Sequence, residues 1–121
     1  PPSLELPADA FRAPPALQEV AHRATTRRPG DPAHVINLSL LPMSPSDGEV
    51  LGRALAAGPV RILSRGYGSC QITSTTVRDT WWVQYVNGYG KVMVDSIEIT
   101  DMPEVALASA EDIAESARRL G

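Results

Sequence analysis

The residues able to do chemistry in this chain are few, and the stretch from residue 60 to residue 107 contains most of them. Cys70 is the only thiol, and a thiolate is suited to nucleophilic or redox chemistry. A nucleophile needs a base within reach, yet His22 and His34 lie far from Cys70 in sequence. The favoured interpretation is a small buried hydrophobic residue. A thiol-dependent enzyme or redox protein using Cys70 is the alternative.

Metal and phosphate chemistry have no matching pattern in the sequence. One cysteine and two separated histidines lack the spacing of zinc ligands, so neither a metal nor another cofactor is predicted. Residues 65–68 (RGYG) lack the spacing of a phosphate-binding loop, which favours a hairpin turn. Glu98, Asp101 and Glu104 follow one another closely, as in a solvated loop rather than an acid–base pair. No catalytic residue is assigned.

The adjacent tryptophans Trp81 and Trp82 point to binding rather than catalysis. Neighbouring residues of a strand face opposite sides, so one Trp can anchor the core while the other lies on an open face. Exposed aromatic residues beside Thr and Gln are typical of protein-binding surfaces. The alternative is that helices cover both. The candidate partner-binding residues are Arg65, Tyr67, Cys70, Trp81, Trp82, Gln84 and Tyr85.

A sheet must position these side chains, and turn residues divide its sequence into four strands. Gly68-Ser69 suits a two-residue hairpin, and the turn at residues 87–90 is rich in residues that accept positive φ. Alternation between these turns predicts an antiparallel meander over residues of about 60–100. The predicted strands span 60–67, 70–77, 81–86 and 91–100.

The segments on either side of the meander predict helices and one more strand. Apolar residues at helical spacing predict a helix from Pro14 and a second from Pro45, with Ser44 and Asp47 forming a capping box. The β-branched run 33–41 predicts a strand. The core side of that strand is predicted to carry Ile36, Leu38 and Leu40. A last helix is capped by Ser109.

These elements predict an α+β fold of order α-β-α-β-β-β-β-α, with helices packed on one face of the meander. The opposite face, with aromatic and hydroxyl-bearing positions, is expected to be open. Five prolines fall within residues 1–15, which predicts a Pro-rich N-terminal arm over residues 1–13. Residues 14–121 then form a single domain, expected to be part of a longer protein.

Composition limits the classes of partner. A formal charge of −3 and a pI near 5.3 argue against nucleic acid and anionic membrane as partners. No apolar run approaches the length of a membrane span, so no membrane insertion is predicted. One cysteine excludes an internal disulfide and fits a reducing compartment. Homo-oligomerisation stays open.

The segments SRGYG, WWVQY and PEVAL, within residues 35–117, resemble the C-terminal domain of HupH/HyaF-type hydrogenase expression proteins. This resemblance implies a non-catalytic, chaperone-like accessory role in the cytoplasm, in maturation of the uptake [NiFe]-hydrogenase. The implied partners are the immature small subunit, which carries the iron–sulfur clusters, and other hydrogenase accessory proteins. The resemblance supplies no catalytic residue. Members of the family are longer and have a related upstream region.

Overall fold

The computed structural model describes residues 7–65 and 69–106 and has the predicted α+β architecture. No helix among these residues has the length and apolar character that crossing a membrane requires. The last predicted helix, from Ser109, lies outside the described residues. The elements in chain order are α1 (Ala13–Thr26), β1 (His34–Asn37), a 3-10 helix (Leu38–Leu40), α2 (Pro45–Ala54), β2 (Ala57–Ser64), β3 (Ser69–Thr75), β4 (Thr80–Val86) and β5 (Val92–Ile99).

The five strands form one antiparallel sheet in the order β1-β5-β4-β3-β2. Strands β2 to β5 pair consecutively, which confirms the predicted meander. Strand β1 adds to the outer side of β5, with Ile36 opposite Ile97. Trp82 lies opposite Ile97 on β5 and opposite Thr73 on β3, so these side chains share one face.

The face of the sheet that carries Ile36, Trp82 and Ile97 packs against α1 and α2, and we call it the helix face. Its core includes Val20 of α1 and Leu51 of α2, which are 1% and 0% exposed. The opposite face, which we call the far face, has a separate buried cluster. That cluster consists of Cys70, Ile72, Trp81, Val83 and Ala106, with Ile62, Tyr85, Met102 and Val105 packed against it.

The predicted capping box of α2 is present. The Ser44 hydroxyl accepts a hydrogen bond from the Asp47 N–H at 3.1 Å, and the Asp47 carboxylate accepts one from the Ser44 N–H at 3.0 Å. The second carboxylate oxygen accepts from the N–H groups of Arg12 and Ala13, at 3.0 and 2.9 Å. One buried side chain therefore satisfies donors at the start of both helices.

Residues 7–13 lie against this junction. Ala10 and Ala13 are 6% and 0% exposed and belong to the core of the helix face. The Asp9 carbonyl accepts a hydrogen bond from the Ser44 hydroxyl at 2.9 Å. The division of the chain into an arm and a domain at residue 13 stays a prediction.

The single strand predicted over residues 33–41 is wrong beyond Asn37. The Asn37 side chain accepts a hydrogen bond from the Ser39 N–H at 3.0 Å, which turns the chain into the 3-10 helix. Leu38 stays buried, whereas Leu40, predicted for the core, is 80% exposed. A local side-chain hydrogen bond thus ends the alternation of the strand.

The far face is not open at its centre. Ile72 and Val83 are 0% exposed, because the chain after β5 crosses this face through Met102 and Ala106. Two hydroxyl groups of β3, those of Ser74 and Thr75, form internal hydrogen bonds. Ser74 bonds the N–H and carbonyl of Val60 across a bulge in β2, at 3.0 and 3.2 Å. The hydroxyl-rich pattern is therefore structural here.

Arg27 ties the end of α1 to the loop after β5. Its guanidinium is 5% exposed and lies 2.6 Å from the Asp101 carboxylate and 3.6 Å from that of Asp79. The hydrogen bond from Arg27 lowers the pKa of Asp101, as does a second from the Gly30 N–H. The network connects the end of α1 to the turn before β4 and to the loop after β5.

Candidate functional site

The structure distributes the seven predicted partner-binding residues over different surfaces. Trp82 and Gln84 lie on the helix face, whereas Cys70, Trp81 and Tyr85 lie on the far face. Arg65 is exposed at the end of β2, and Tyr67 lies outside the described residues. The seven residues therefore do not form one surface, and partner binding by each stays a prediction.

The expectation that one tryptophan lies on an open face opposite the helices is wrong, because the tryptophan on that face is buried. Trp81 is 8% exposed and donates its indole N–H to the Thr100 carbonyl at 3.1 Å. Trp82 is half-buried and donates to the Leu55 carbonyl, just after α2, at 3.0 Å. Each indole is satisfied on its own side of the sheet, because adjacent strand residues point in opposite directions.

The helices leave part of the helix face uncovered. A groove of about 620 Å³ runs between α2 and the sheet. We call this feature the α2 groove. Its apolar lining includes Met43, Leu51, Leu55 and Trp82, and its polar lining includes Thr73, Gln84 and Asp95. Apolar walls with a few convergent polar groups are typical of a binding site.

Asp95 is the charged group of the α2 groove. Among the described residues, its carboxylate accepts one hydrogen bond, from the Gln84 amide at 3.3 Å. Burial raises the pKa of Asp95, and the Gln84 hydrogen bond compensates in part. None of the ion pairs formed by the described residues includes Asp95. The groove therefore has an acidic group with unused capacity to accept hydrogen bonds.

A hydrogen bond to Ser39 of the 3-10 helix holds the backbone of Asp95 in place. The Asp95 N–H donates to the Ser39 hydroxyl at 2.7 Å, and Ser39 is itself held by Asn37. On the neighbouring strand β4, Gln84 is the residue directly opposite Asp95. The carboxylate thus belongs to rigid elements rather than to a loop, which favours a defined binding geometry.

Exposed apolar side chains occur at, or next in sequence to, residues that line the α2 groove. Val92, which lines the groove, is 43% exposed, and the next residue, Met93, is 57% exposed. Leu40 and Leu41 follow the lining residue Ser39 and are 80% and 37% exposed. Large exposed apolar side chains beside a groove indicate a contact surface for another protein.

Cys70 has the environment of a structural residue. Its thiol is 2% exposed, and burial is the main cause of its raised pKa, with the Glu98 carboxylate as a second cause. A hydrogen bond with Tyr85 acts in the opposite direction but does not offset them. His34 pairs with Glu19 beside α1, on the helix face. A raised pKa and burial are the reverse of what an activated thiol needs.

The acidic residues Glu98, Asp101 and Glu104, at and after the end of β5, do not form a site together. Glu98 faces the far side of the sheet, and its pKa is raised, mainly by burial and then by Glu104. Asp101 instead bonds Arg27. Across the described ranges, no group of three or more His, Cys, Asp or Glu side chains is placed to hold a metal ion.

Sequence analysis missed the part that α2 has in the groove. Gly48 and Gly52, one turn apart, line it together with Leu51. The available signal was two glycines inside a predicted helix, where glycine is unfavourable and usually has a packing or functional reason. A second available signal was the alternation of Asp95 with Met93, Ile97 and Ile99 along one strand face, since a charge among apolar residues is the pattern of a buried functional group.

Comparisons with known proteins place residues 10–121 in one family model, described as the HupH hydrogenase expression protein, C-terminal conserved region. A hydrogenase expression/formation protein HupH of Rhizobium leguminosarum bv. viciae is 46% identical over 114 residues, which is 94% of this chain. The hydrogenase-1 operon protein HyaF of Escherichia coli strain K12 is 36% identical over 95% of the chain. The chain spans 40% and 43% of the lengths of these two relatives.

A solved structure has the same fold. The hydrogenase expression protein HupH from Thiobacillus denitrificans superposes with a TM-score of 0.73 at 31% identity. The match covers 91% of this chain and 92% of that one. At this identity and coverage, the likeness extends beyond architecture to the sequence itself.

Proposed function

Because the chain belongs to the family defined by the C-terminal conserved region of HupH hydrogenase expression proteins, we propose that it is a non-catalytic accessory module in hydrogenase maturation. The client in this proposal is the immature small subunit, which carries the iron–sulfur clusters of an uptake [NiFe]-hydrogenase. The site of action is the cytoplasm, alongside other accessory proteins. The resemblance drawn from SRGYG, WWVQY and PEVAL is confirmed by the family match.

The observation that carries this proposal is the α2 groove. It joins a half-buried aromatic ring, Trp82, with the polar pair Gln84 and Asp95 on rigid elements. Such a combination suits contact with an incompletely folded chain, whose apolar and polar groups are exposed together. The names of the relatives, hydrogenase expression or formation proteins, supply the class of client.

The thiol-enzyme alternative lacks support from the environment of Cys70. A nucleophilic or redox cysteine needs access to its substrate and a lowered pKa. Cys70 is 2% exposed, and its pKa is raised by burial. We therefore place the function in a binding surface rather than in the thiol.

Capture of the client tests the proposal. Immobilised wild-type protein is expected to retain the immature small subunit and to release it once the clusters are inserted. Thr73→Arg, which places a long charged side chain in the α2 groove, is expected to reduce capture at least about tenfold. The matched control is Thr76→Arg, an exposed position on the same chain segment.

The possible results separate the client from the surface. Failure of the wild-type protein to retain the small subunit would overturn the proposed function. Retention that Thr73→Arg does not weaken would keep the client but exclude the α2 groove as its contact surface. Circular dichroism of both variants verifies that they fold.

A further inference from the structure

The α2 groove has three features that do not serve the stability of the fold. Gly48 and Gly52 lie inside a ten-residue helix, where glycine is the least favourable residue after proline. A Cβ atom added at either position would meet nothing within 4 Å. Packing among the described residues therefore does not require these glycines. Their effect is to leave the backbone of α2 bare where it borders the groove.

Gly58 shows the contrasting case in the same protein. A Cβ atom there would lie 2.6 Å from the Ser74 hydroxyl and 3.0 Å from the Thr75 carbonyl oxygen. Its lack of a side chain is explained by the close approach of β2 to β3. The two glycines of α2 have no such neighbour among the described residues, so a bare helix surface is available to an approaching group.

Asp95 defines the chemistry of that outside group. The carboxylate is half-buried, faces the groove and pairs with no cation among the described residues. Gln84 supplies one hydrogen bond at 3.3 Å. A partly desolvated carboxylate gains most from a Lys or Arg side chain, which supplies both charge and donors. The complementary partner is therefore basic at this point.

The apolar lining of the groove indicates that the partner also carries an apolar side chain. Met43 and Trp82, which are partly buried, present an apolar surface in the groove beside Asp95, and Leu51 and Leu55, at 0% and 2% exposed, belong to the buried core behind them. A large apolar side chain fills such a surface, while the exposed rim residues Val92 and Met93 extend it outward. An entirely polar partner would leave this area unpaired.

We infer that the α2 groove accepts a segment of the client chain that carries one large apolar side chain and one Lys or Arg side chain. The apolar side chain lies against Met43 and Trp82, and the basic side chain meets Asp95. The backbone of the segment passes close to Gly48 and Gly52. This inference rests on the proposed function for the identity of the client, but the chemistry of the groove can be tested without it.

The probes are short synthetic peptides of a Ser- and Gly-rich host sequence. The first carries Leu, Phe and Arg, the second has Glu in place of Arg, and the third has Ser in place of Leu and Phe. Binding is followed by fluorescence anisotropy and by the NMR resonance of the Trp82 indole N–H, assigned with Trp82→Phe. The first peptide is expected to bind at least about tenfold more tightly than either of the others.

Two variants test the groove itself. Asp95→Asn is expected to remove the preference for Arg over Glu in the peptide. Gly48→Ala/Gly52→Ala is expected to weaken binding at least about tenfold while raising the melting temperature, since alanine favours the helix. The matched control, Glu49→Ala/Arg53→Ala, changes exposed residues of α2 that do not line the groove and leaves the affinity unchanged.

Gly48→Ala/Gly52→Ala is expected to raise stability while weakening peptide binding, so a loss of affinity in this variant cannot be attributed to unfolding. Equal binding of the Arg and Glu peptides, no binding of any peptide, or full affinity in Gly48→Ala/Gly52→Ala would each overturn the inference. Capture of the small subunit that survives both groove variants would overturn the inference and leave the proposed function intact. Peptide binding without capture of the small subunit would overturn the proposed function alone.

Discussion

Trp81 and Trp82 donate their indole N–H groups to carbonyl oxygens on opposite sides of the sheet, those of Thr100 and Leu55. The two distances are nearly equal, at 3.1 and 3.0 Å. Trp81 anchors the chain after β5 to the far face, and Trp82 anchors the end of α2 to the helix face. Adjacent residues therefore hold two separate layers on one sheet.

Replacement of each tryptophan by phenylalanine is expected to separate stability from binding. Trp81→Phe leaves the Thr100 carbonyl without this donor, which costs about 1–3 kcal/mol of unfolding free energy, and capture of the small subunit is unaffected. Trp82→Phe lowers stability less, since the ring is half-buried, and weakens capture. Urea denaturation and pull-down measure the two effects. A loss of capture in Trp81→Phe alone would contradict this assignment.

Asp47 is expected to make the stability of the fold dependent on acid. Burial alone would raise its pKa, but hydrogen bonds from the N–H groups of Ser44, Ala13 and Arg12 lower it. The folded state therefore binds the proton less tightly than the unfolded chain, so this stabilisation is full above the ordinary pKa of aspartate and is lost as pH falls through the lowered one.

Asp47→Asn tests this acid dependence. The asparagine amide has one accepting oxygen, so it cannot accept the hydrogen bonds that both carboxylate oxygens of Asp47 accept, and the melting temperature falls at neutral pH. The difference from the wild-type protein begins to narrow near pH 4, the ordinary pKa of aspartate, and disappears as the pH falls through the lowered pKa of the folded carboxylate. Glu49→Gln, at an exposed position of α2, is the control. A constant difference across this range would contradict the prediction.

Asp95→Asn is expected to change the pH dependence of stability in the direction opposite to Asp47→Asn. Burial raises the pKa of Asp95, so the folded state favours the protonated form, and this contribution is lost as pH rises through the raised value. The Asn variant should therefore gain stability relative to the wild-type protein as the pH increases from acid to neutral. Thermal denaturation across that range measures the change. An Asn variant that is less stable at neutral pH would show that the carboxylate stabilises the fold.

Gly58→Ala is expected to destabilise the sheet, in contrast to the glycines of α2. The added Cβ atom would contact the Ser74 hydroxyl and the Thr75 carbonyl, and relief of this overlap costs about 1–3 kcal/mol. Gly48→Ala is the matched variant, and it should raise stability by about 0.5–1 kcal/mol. Equal effects of the two substitutions on the urea midpoint would contradict the packing that distinguishes them.

Cys70 is expected to resist alkylation in the folded protein. Its burial and raised pKa leave little accessible thiolate, so reaction proceeds through transient opening, at least about 100-fold more slowly than in the urea-unfolded chain. The measurement is the rate of iodoacetamide modification against pH, followed by mass spectrometry. Rapid reaction with a midpoint below about 8.5, the pKa of a free thiol, would revive the thiol chemistry.

Patterns within a few residues determined much of the fold from the sequence. The capping box at Ser44 and Asp47 and the turns that separate β3, β4 and β5 are encoded locally, and the structure has them. The same reasoning failed at Leu40, where the Asn37–Ser39 hydrogen bond competes with a strand. The alternation of apolar residues does not indicate that such a side-chain hydrogen bond will form.

The candidate site, in contrast, depends on contacts between distant parts of the chain. Ser39 and Asp95 are 56 residues apart, and Trp82 and Leu55 are 27 apart. Which aromatic residue faces which helix, and which face stays partly uncovered, is decided by how the layers pack against the sheet. Sequence alone could place two tryptophans on opposite faces, but only the tertiary structure could show that Trp81 is buried and that Trp82 is half-buried beside the groove.

The sequence by itself determined the family, the α+β class and the meander, because motifs, turn residues and alternation are properties of consecutive residues. Only the tertiary structure decided that Cys70 is buried and that Gly48, Gly52 and Asp95 meet along one groove. The physical reason is that a groove arises where packing is incomplete, and the extent of packing is a property of the assembled layers.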